Sequence, residues 1–286
     1  GENHQTKTRV GTMDKQSRFF LHLQDVLGRL AIFLIAPFYF FIARVMFYRV
    51  RNLRAIRHQC VKAFAEHQGP WIVCANHLTM IDSFLLSYAS FSLLSHVTHY
   101  RKLAWNLPER RNFQSNVFLA VLCYLSKCVP VDRGGSREKT KQLLDKCIYL
   151  LSRGHTIMIF PEGGRSRTGR VDKENFSYGV GRFVQDVENC KVMCIYLRGD
   201  KQRRYGLIPA WGDKFYAAME VLEPTPVPQT GLRAQREYAA QIINRLADME
   251  EKYFATRRKR YRGFENSDER KKKHGFAISG ENPHRY

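Results

Sequence analysis

Apolar residues along this chain fall into blocks set apart by Gly/Pro pairs and charged stretches. The first block, residues 30–43 (LAIFLIAPFYFFIA), runs fourteen positions without a charge; after Arg44 it resumes as VMFY. A full membrane span needs about 20 apolar residues. This block reaches that length only if Arg44 snorkels to the interface. Pro37 lies mid-run and predicts a kink. Arg18 and Arg29 precede the block, and Arg49, Arg51, Arg54 and Arg57 follow it. Phe33, Phe38, Tyr39, Phe40 and Phe41 add interfacial character. A buried core helix and a membrane element both fit. The missing polar face favours the membrane element, monotopic or re-entrant ahead of a true span.

Residues 52–67 read as a polar-basic helix stopped by Gly69-Pro70. WIVCA (71–75) is a short apolar run between turn signals and predicts a buried strand. An apolar helix follows over 81–95, a strand over 97–104, a second apolar helix over 114–127 and a short strand over 128–131. Ser136 is placed to N-cap a helix that runs to Arg153 and is closed by Gly154. TIMIF (156–160) predicts a strand stopped by Pro161, with a Gly/Arg-rich loop to 178. A helix over 179–188, a strand over 192–197, one or two strands within 206–222 and an amphipathic helix over 231–254 complete the pattern. Helices alternating with strands predict an α/β fold: a single mixed, largely parallel sheet flanked by helices, with an N-terminal helical membrane anchor. The implied organisation is a flexible N-terminus (1–16), an anchoring segment (17–58), the α/β domain (59–254) and a basic C-terminal tail (255–286). No secretory signal is read, because the apolar run starts late and lacks a small-residue cleavage site.

Charge changes this picture most. Lys and Arg number 47 against 26 Asp and Glu, a formal net charge of +21. Residues 1–60 hold ten basic against three acidic side chains, and residues 255–286 ten against four, so 13 of the 21 excess charges lie near the ends. That distribution suits adsorption to an anionic surface better than a carved nucleic-acid groove. No aromatic–basic binding motif accompanies it, so nucleic acid is not an expected partner. The seven Cys form no CxxC pair and no Cys/His cluster, which argues against zinc. Most lie in apolar stretches and read as small core residues in a reducing compartment.

Candidate chemistry starts where the 71–75 strand ends, at Asn76-His77-Leu78-Thr79-Met80-Ile81-Asp82. Strand ends facing helix starts are the usual active-site position in α/β folds. On one continuous helix His77 and Asp82 would point about 140° apart. Across a strand–turn–helix junction they can meet, with Asp82 in the first helical turn. The carboxylate would then orient the imidazole and stabilise imidazolium while His77 takes a proton from a substrate hydroxyl. The other reading is a helix-capping Asp82 and a turn histidine. No GxSxG elbow occurs, so the acceptor would be activated directly, without an acyl-enzyme.

Beyond the 156–160 strand the chain reads Phe160-Pro161-Glu162-Gly163-Gly164-Arg165-Ser166-Arg167-Thr168-Gly169-Arg170. Pro161 cannot continue a central ladder. Gly163 and Gly164 allow close approach or positive φ, and three arginines in six residues suit bidentate phosphate contacts. Ser166 adds a hydroxyl. A solvated basic turn accounts for Arg167 and Arg170 better than for Arg165, and accounts poorly for Glu162. Arg133, just past Val131-Asp132, is either a second phosphate contact or half of a loop-bracing Arg–Asp pair.

These blocks, in this order, resemble the glycerolipid acyltransferase family, the type that acylates lysophosphatidic acid. The resemblance covers residues 71–199 and rests on Asn76-His77 with Asp82, Val131-Asp132-Arg133, Phe160-Pro161-Glu162-Gly163 with Arg165-Ser166, and Met193-Cys194-Ile195. It implies that His77 is the general base and Asp82 its orienting partner. It implies that Arg133, Glu162, Gly163 and Arg165, with Gly164 and Ser166 beside them, hold the acceptor's phosphate or polar headgroup. It also implies an acyl-CoA or acyl carrier protein donor, a lyso-lipid acceptor, no metal or cofactor, and a place on the inner or plasma membrane with the active site at the cytoplasmic face. Four positions depart from the family pattern: Lys127 and Gly164 stand where Gly and Thr are usual, Cys194 replaces a Pro, and Tyr178 replaces a common Lys. A different lyso-lipid acceptor, such as lyso-ornithine lipid, and a non-catalytic membrane adaptor stay open beside lysophosphatidic acid.

Overall fold

The structure, a computed structural model, describes residues 13–112, 116–132 and 134–278, with backbone alone from residue 259. The expected flexible N-terminus falls almost wholly outside the described residues, and so does Arg133. The chain divides into two compact units at Ala247/Asp248.

The first unit holds a five-stranded sheet of β1 (Arg49–Val50), β2 (Trp71–Ala75), β3 (Thr156–Ile159), β4 (Lys191–Gly199) and β5 (Lys214–Leu222) in the order β1-β5-β4-β2-β3. The β1–β5, β2–β3 and β2–β4 pairings are parallel and β4–β5 is antiparallel, so the sheet is mixed and largely parallel as the sequence pattern predicts. All five residues of β2 are buried. A strand covered on both faces must be apolar throughout rather than alternating, and WIVCA meets that condition. Burial pushes the Cys60 thiol up to about 11 and the Cys147 thiol up to about 12, which leaves them as core residues.

Helices α2 (Leu53–Glu66), α3 (Asp82–Ser90), α4 (Leu93–Thr98), α5 (Val117–Leu125), α6 (Arg137–Ser152) and α7 (Gly179–Asp186) connect the strands. Ser136 caps α6 as expected, its Oγ accepting from Lys139 N. The apolar stretch over 81–95 is not one helix. Phe91 is extended, and Ser92 caps a new helix by accepting from Ser95 N. The strand expected over 97–104 is absent; those residues end α4 and enter a 3-10 turn at Tyr100–Lys102. Residues 128–131 make only isolated bridges, Asn106 with Cys128 and Glu109 with Val131. Pro130 lacks the N–H that a continuous ladder needs. The 206–222 stretch holds one strand, β5, because Pro209 and Gly212 (φ +67°) keep the preceding loop irregular.

Helix α1 (Lys15–Val45) starts well before the apolar block and runs through Pro37 for 31 residues. Asp14 caps it, accepting from Ser17 N at 2.5 Å. One stripe, including Leu21, Gln24, Gly28, Ile32, Ile35 and Ala43, is buried. The opposite face leaves Phe19, Phe20, Leu30, Phe33, Leu34 and Phe41 exposed. A core helix would bury both faces, so that reading fails. The helix is long and apolar enough to cross a membrane by length and composition. It is braced to α5: Gln24 Nε2 donates to the Tyr124 and Cys128 carbonyls, and Tyr39 OH donates to Ser126 Oγ. Helix α8 (Gly231–Ile278) begins in the first unit, and its continuation forms the second. It therefore runs on past residue 254 through the basic stretch, which is rich in Arg, Lys and Glu, all good helix formers.

Candidate active site

The C-terminal end of β2 delivers Asn76 and His77 to the sheet rim. Asn76 is buried, and its amide takes over the ladder there: Nδ2 donates to Leu197 O at 2.9 Å and Oδ1 accepts from Leu197 N at 2.8 Å. A side-chain amide that mimics a peptide pins the strand end to β4 while its own backbone turns away. The His77 backbone is then clamped on both sides, its N–H donating to Glu162 Oε1 at 3.1 Å and its carbonyl accepting from Ser166 N at 2.9 Å.

The His77 ring has two contacts. Nδ1 lies 2.9 Å from Asp82 Oδ2, and the ring stacks on Phe160 with centroids 4.0 Å apart and planes 16° apart. An ionised carboxylate only accepts, so the tautomer of the neutral ring that fits this contact carries its proton on Nδ1 and a lone pair on Nε2. Among the described residues Nε2 takes no hydrogen bond, and the side chain is 15% exposed. Asp82, the first residue of α3, accepts at Oδ2 from Leu78 N (2.6 Å) and Thr79 N (2.8 Å) and at Oδ1 from Thr79 Oγ1 (2.5 Å). These donors all precede the helix. The carboxylate therefore braces the strand–turn–helix junction and the imidazole together, rather than capping α3.

The loop after β3 leaves the sheet at Pro161. Gly163 (φ +68°) closes a turn through Gly163 N to Phe160 O at 2.9 Å, while Gly164 stays outside the left-handed region. Arg165 is half-buried; its guanidinium donates to Gly206 O at 2.8 Å and lies over Tyr205. Ser166 is buried and its hydroxyl donates to Arg170 O at 2.5 Å, so it holds the loop together. Arg167 and Arg170 are exposed. His77, Asp82, Glu162 and Ser166 thus come together directly, and Arg165 joins them through the 200–213 loop. Asp132 is held by Arg110 at 2.7 Å and Lys139 at 3.3 Å. Among the described residues no group of three or more His, Cys, Asp or Glu comes together as a metal site would require.

Sequence reasoning did not assign four contributors: the ladder role of Asn76, Thr79 as a donor to Asp82, Phe160 as the stacking platform, and the loop between β4 and β5. That loop packs against the His77 turn through Gly206 N to Leu78 O (2.9 Å) and Met80 N to Leu207 O (3.0 Å). It carries exposed Tyr205, Leu207, Ile208 and Trp211. The signal was present in YGLIPAWGD, large apolar residues inside a Gly/Pro-punctuated loop. Arg198, buried at the end of β4, donates to Gly169 O and Arg203 O and ties this loop to the Glu162 loop.

A strand-end histidine held by a carboxylate, with an Arg-bearing loop beside it on a mixed α/β sheet, is equipped for general-base chemistry on an anionic substrate. The family model described as Acyltransferase matches residues 47–198, slightly more than half of the chain, and the chain belongs to that family. A similar solved structure is that of PlsC from Thermotoga maritima, described as a 1-acyl-sn-glycerophosphate (LPA) acyltransferase. It shares 17% identity over 85% of this chain and 86% of that one, with a TM-score of 0.44. No curated protein matches the chain.

Proposed function

We propose that this acyltransferase moves a fatty acyl group from an acyl thioester, carried by coenzyme A or acyl carrier protein, to the hydroxyl of a lysophospholipid. The first candidate acceptor is 1-acylglycerol-3-phosphate, giving phosphatidic acid. The contact of His77 Nδ1 with Asp82, which leaves Nε2 without a partner among the described residues, is the observation that carries this reading. Nε2 takes the acceptor's hydroxyl proton as its oxygen bonds to the thioester carbonyl carbon. Asp82 stabilises the imidazolium that forms, a contribution of about 10²–10⁴-fold for general base help. Collapse of the tetrahedral intermediate breaks the C–S bond, and the imidazolium returns its proton to the departing thiolate. Oxyanion donors are sought among the backbone N–H groups of the Gly163-Gly164 turn. Arg165, Glu162 and Arg133 are the candidates for holding the acceptor headgroup.

The exposed apolar faces of α1 and α5 support membrane docking. Helix α5 buries none of its residues, with Val117, Phe118 and Val121 open to solvent. Because α1 is packed against the body along a stripe from Leu21 to Ala43, we read it as lying in the interface rather than crossing alone. Seven free thiols fit a reducing cytoplasmic face. The test is acyl transfer by purified protein and by His77→Ala, with labelled acyl-CoA and acyl carrier protein against a panel of lyso-lipids including lysophosphatidic acid and lyso-ornithine lipid. Transfer lost in the mutant supports the reaction, and the acceptor that works names the substrate. Equal transfer in both removes His77 from the mechanism. No transfer with liposome binding intact favours the adaptor.

A further inference from the structure

A cleft of about 190 Å³ opens at the other end of the sheet from His77, between the first half of α1 and the α6–β3 junction. Trp71 and Thr156 are register partners in parallel strands. His155, in the cleft wall, therefore stands level with the start of β2, while His77 follows its end, roughly 20 Å away at about 3.3 Å per residue. The two sites share no residue.

The walls are cationic. Arg29, Arg101 and Arg153 line the cleft together with His22 and His155, against one carboxylate, Asp25. Neither Arg29 nor Arg153 makes an ion pair among the described residues. Arg101 donates to the Arg153 carbonyl at the end of α6, which fixes its position. Lys127 lies behind this wall, buried, donating to the Tyr100 and Leu103 carbonyls, with its Nζ 3.8 Å from Asp25. The floor carries an unmet donor: Trp105 is wholly buried, its ring packs edge-on to His155, and among the described residues its indole N–H has no hydrogen-bond partner. His155 Nδ1, a donor or an acceptor according to tautomer, is also buried without a partner among the described residues. A buried donor left unsatisfied is destabilising. The cations also act on one another: burial, then the charges of Lys127, Arg101, Arg153 and Arg29, push His155 down to about 3. Burial pushes Lys127 down to about 7.

A ligand that answers the Trp105 N–H and the three arginines must bring negative charge, accept hydrogen bonds and suit forked guanidinium donors. Those are the properties of a phosphate group. We propose that this cleft is a phosphate-binding site separate from the catalytic centre, with Trp105 donating from the floor and Arg29 and Arg153 closing from the rim. Helix α1 sets where the phosphate comes from. Arg29 directly precedes the apolar block, so on the membrane reading of α1 the cleft lies level with lipid headgroups and takes the phosphate of an anionic phospholipid. That choice of source rests on the membrane reading; the anion site does not.

The test uses the full chain. Binding of inorganic phosphate at constant ionic strength is followed by thermal shift, and binding to phosphatidylcholine vesicles with and without phosphatidic acid by flotation. The variants are Arg29→Gln/Arg153→Gln, Trp105→Phe, and a charge-matched surface control, Arg54→Gln/Arg233→Gln. The double arginine variant should lose at least tenfold in phosphate affinity or in its preference for phosphatidic acid, and Trp105→Phe severalfold, with the control unchanged. Loss confined to vesicles assigns a lipid source; loss confined to inorganic phosphate assigns a free one. Phosphate binding and phosphatidic-acid preference both equal in wild type and the two cleft variants, or lost equally in the surface control, overturn the site. Failure to float with any vesicle, while phosphate binding still depends on Arg29 and Arg153, overturns the membrane reading and leaves the site standing.

Discussion

Replacing Asp82 with Asn changes one atom and tests the centre of the mechanism. The carboxylate accepts four hydrogen bonds, three at Oδ2 and one at Oδ1. An Asn with its carbonyl oxygen in the Oδ2 place keeps the three bonds from His77, Leu78 and Thr79, but as neutral contacts. Hydrogen bonds to charged groups are worth about 1.5–3 kcal/mol and neutral ones about 0.5–1.5. Its NH2 group then meets Thr79 Oγ1, which has to turn from donor to acceptor. Stability should fall by about 1–3 kcal/mol, with the junction intact. The catalytic loss should be larger, because the neutral amide no longer balances imidazolium. The corresponding change in a Ser-His-Asp triad lowers kcat by about 10⁴, so we expect a fall of about 10²–10⁴ here, with KM for the acceptor nearly unchanged. The assay is thiol release from acyl-CoA in the presence of the lyso-lipid, run well below the melting temperature of every variant. His77→Ala and the double variant accompany it. Groups that act as a unit are strongly non-additive, so the double variant should be no slower than the worse single one. If Asp82→Asn keeps most of its kcat while His77→Ala loses it, Asp82 is a junction brace only, and the dyad argument fails.

Three further outcomes follow from the packing. Asn76→Leu strands the buried N–H and C=O of Leu197 at about 1–3 kcal/mol each; calorimetry should show a melting temperature lower by several degrees, and an unchanged transition would mean the ladder extension is dispensable. Gly181→Ala places a Cβ 1.9 Å from the Gln235 carbonyl oxygen, so α7 and α8 have to separate and stability should drop by about 1–3 kcal/mol or more; chemical denaturation measures it. Lys127 carries a folded-state pKa lowered from 10.5 to about 7 by burial. The unfolded chain therefore binds the extra proton between those values, and stability should rise as pH climbs from 7 toward 10.5. Unfolding curves of wild type and Lys127→Met should converge in slope above that window and diverge within it, and parallel curves throughout would refute the assignment.

What could be read from the sequence, and what could not, divides along physical lines. Strands β2 and β3 and the cap of α6 were legible because each is a local pattern: a continuous apolar run, a Pro stop, a Ser ahead of a helix. The His77–Asp82 contact was legible as a possibility, because a strand–turn–helix junction is the one local geometry that brings i and i+5 together. The strand expected over 97–104 was wrong because loose alternation there belongs to a short helix capped by Ser92 and a 3-10 turn. Helix α1 begins close to the start of the expected 17–58 segment but ends at Val45, because Phe47 (φ +54°) turns the chain into β1, a reversal that an apolar pattern continuing to Tyr48 does not announce. The loop bearing Gly206 and Leu207 escaped because its contacts with Leu78 and Met80 join residues more than a hundred positions apart. No local pattern encodes such pairings.

Lys127 shows how a departure from a family pattern gains physical content once the backbone is known. The residue ends α5 in the left-handed region, φ +57°, and Cys128 N returns to the Cys123 carbonyl, the Schellman closure that ordinarily selects Gly. A side chain there costs about 1–2 kcal/mol of backbone strain, and burying an ammonium costs more. The second cost is only partly offset, by two carbonyl acceptors, by Asp25 on α1 and by the faces of Tyr100 and Trp105, and the remainder appears as the lowered pKa of about 7. A lysine installed at a glycine position therefore binds α1, α5 and the Trp105 segment to one buried charge. The same residue bears on the cleft in front of it: it helps push His155 down, and Arg29 and Arg101 help lower Lys127 in turn. Replacing Lys127 with Gly would relax the backbone and remove that shared charge at once. The α1–α5 pair and the cleft beside it are thus one electrostatic unit, and perturbing either should be read out at the other.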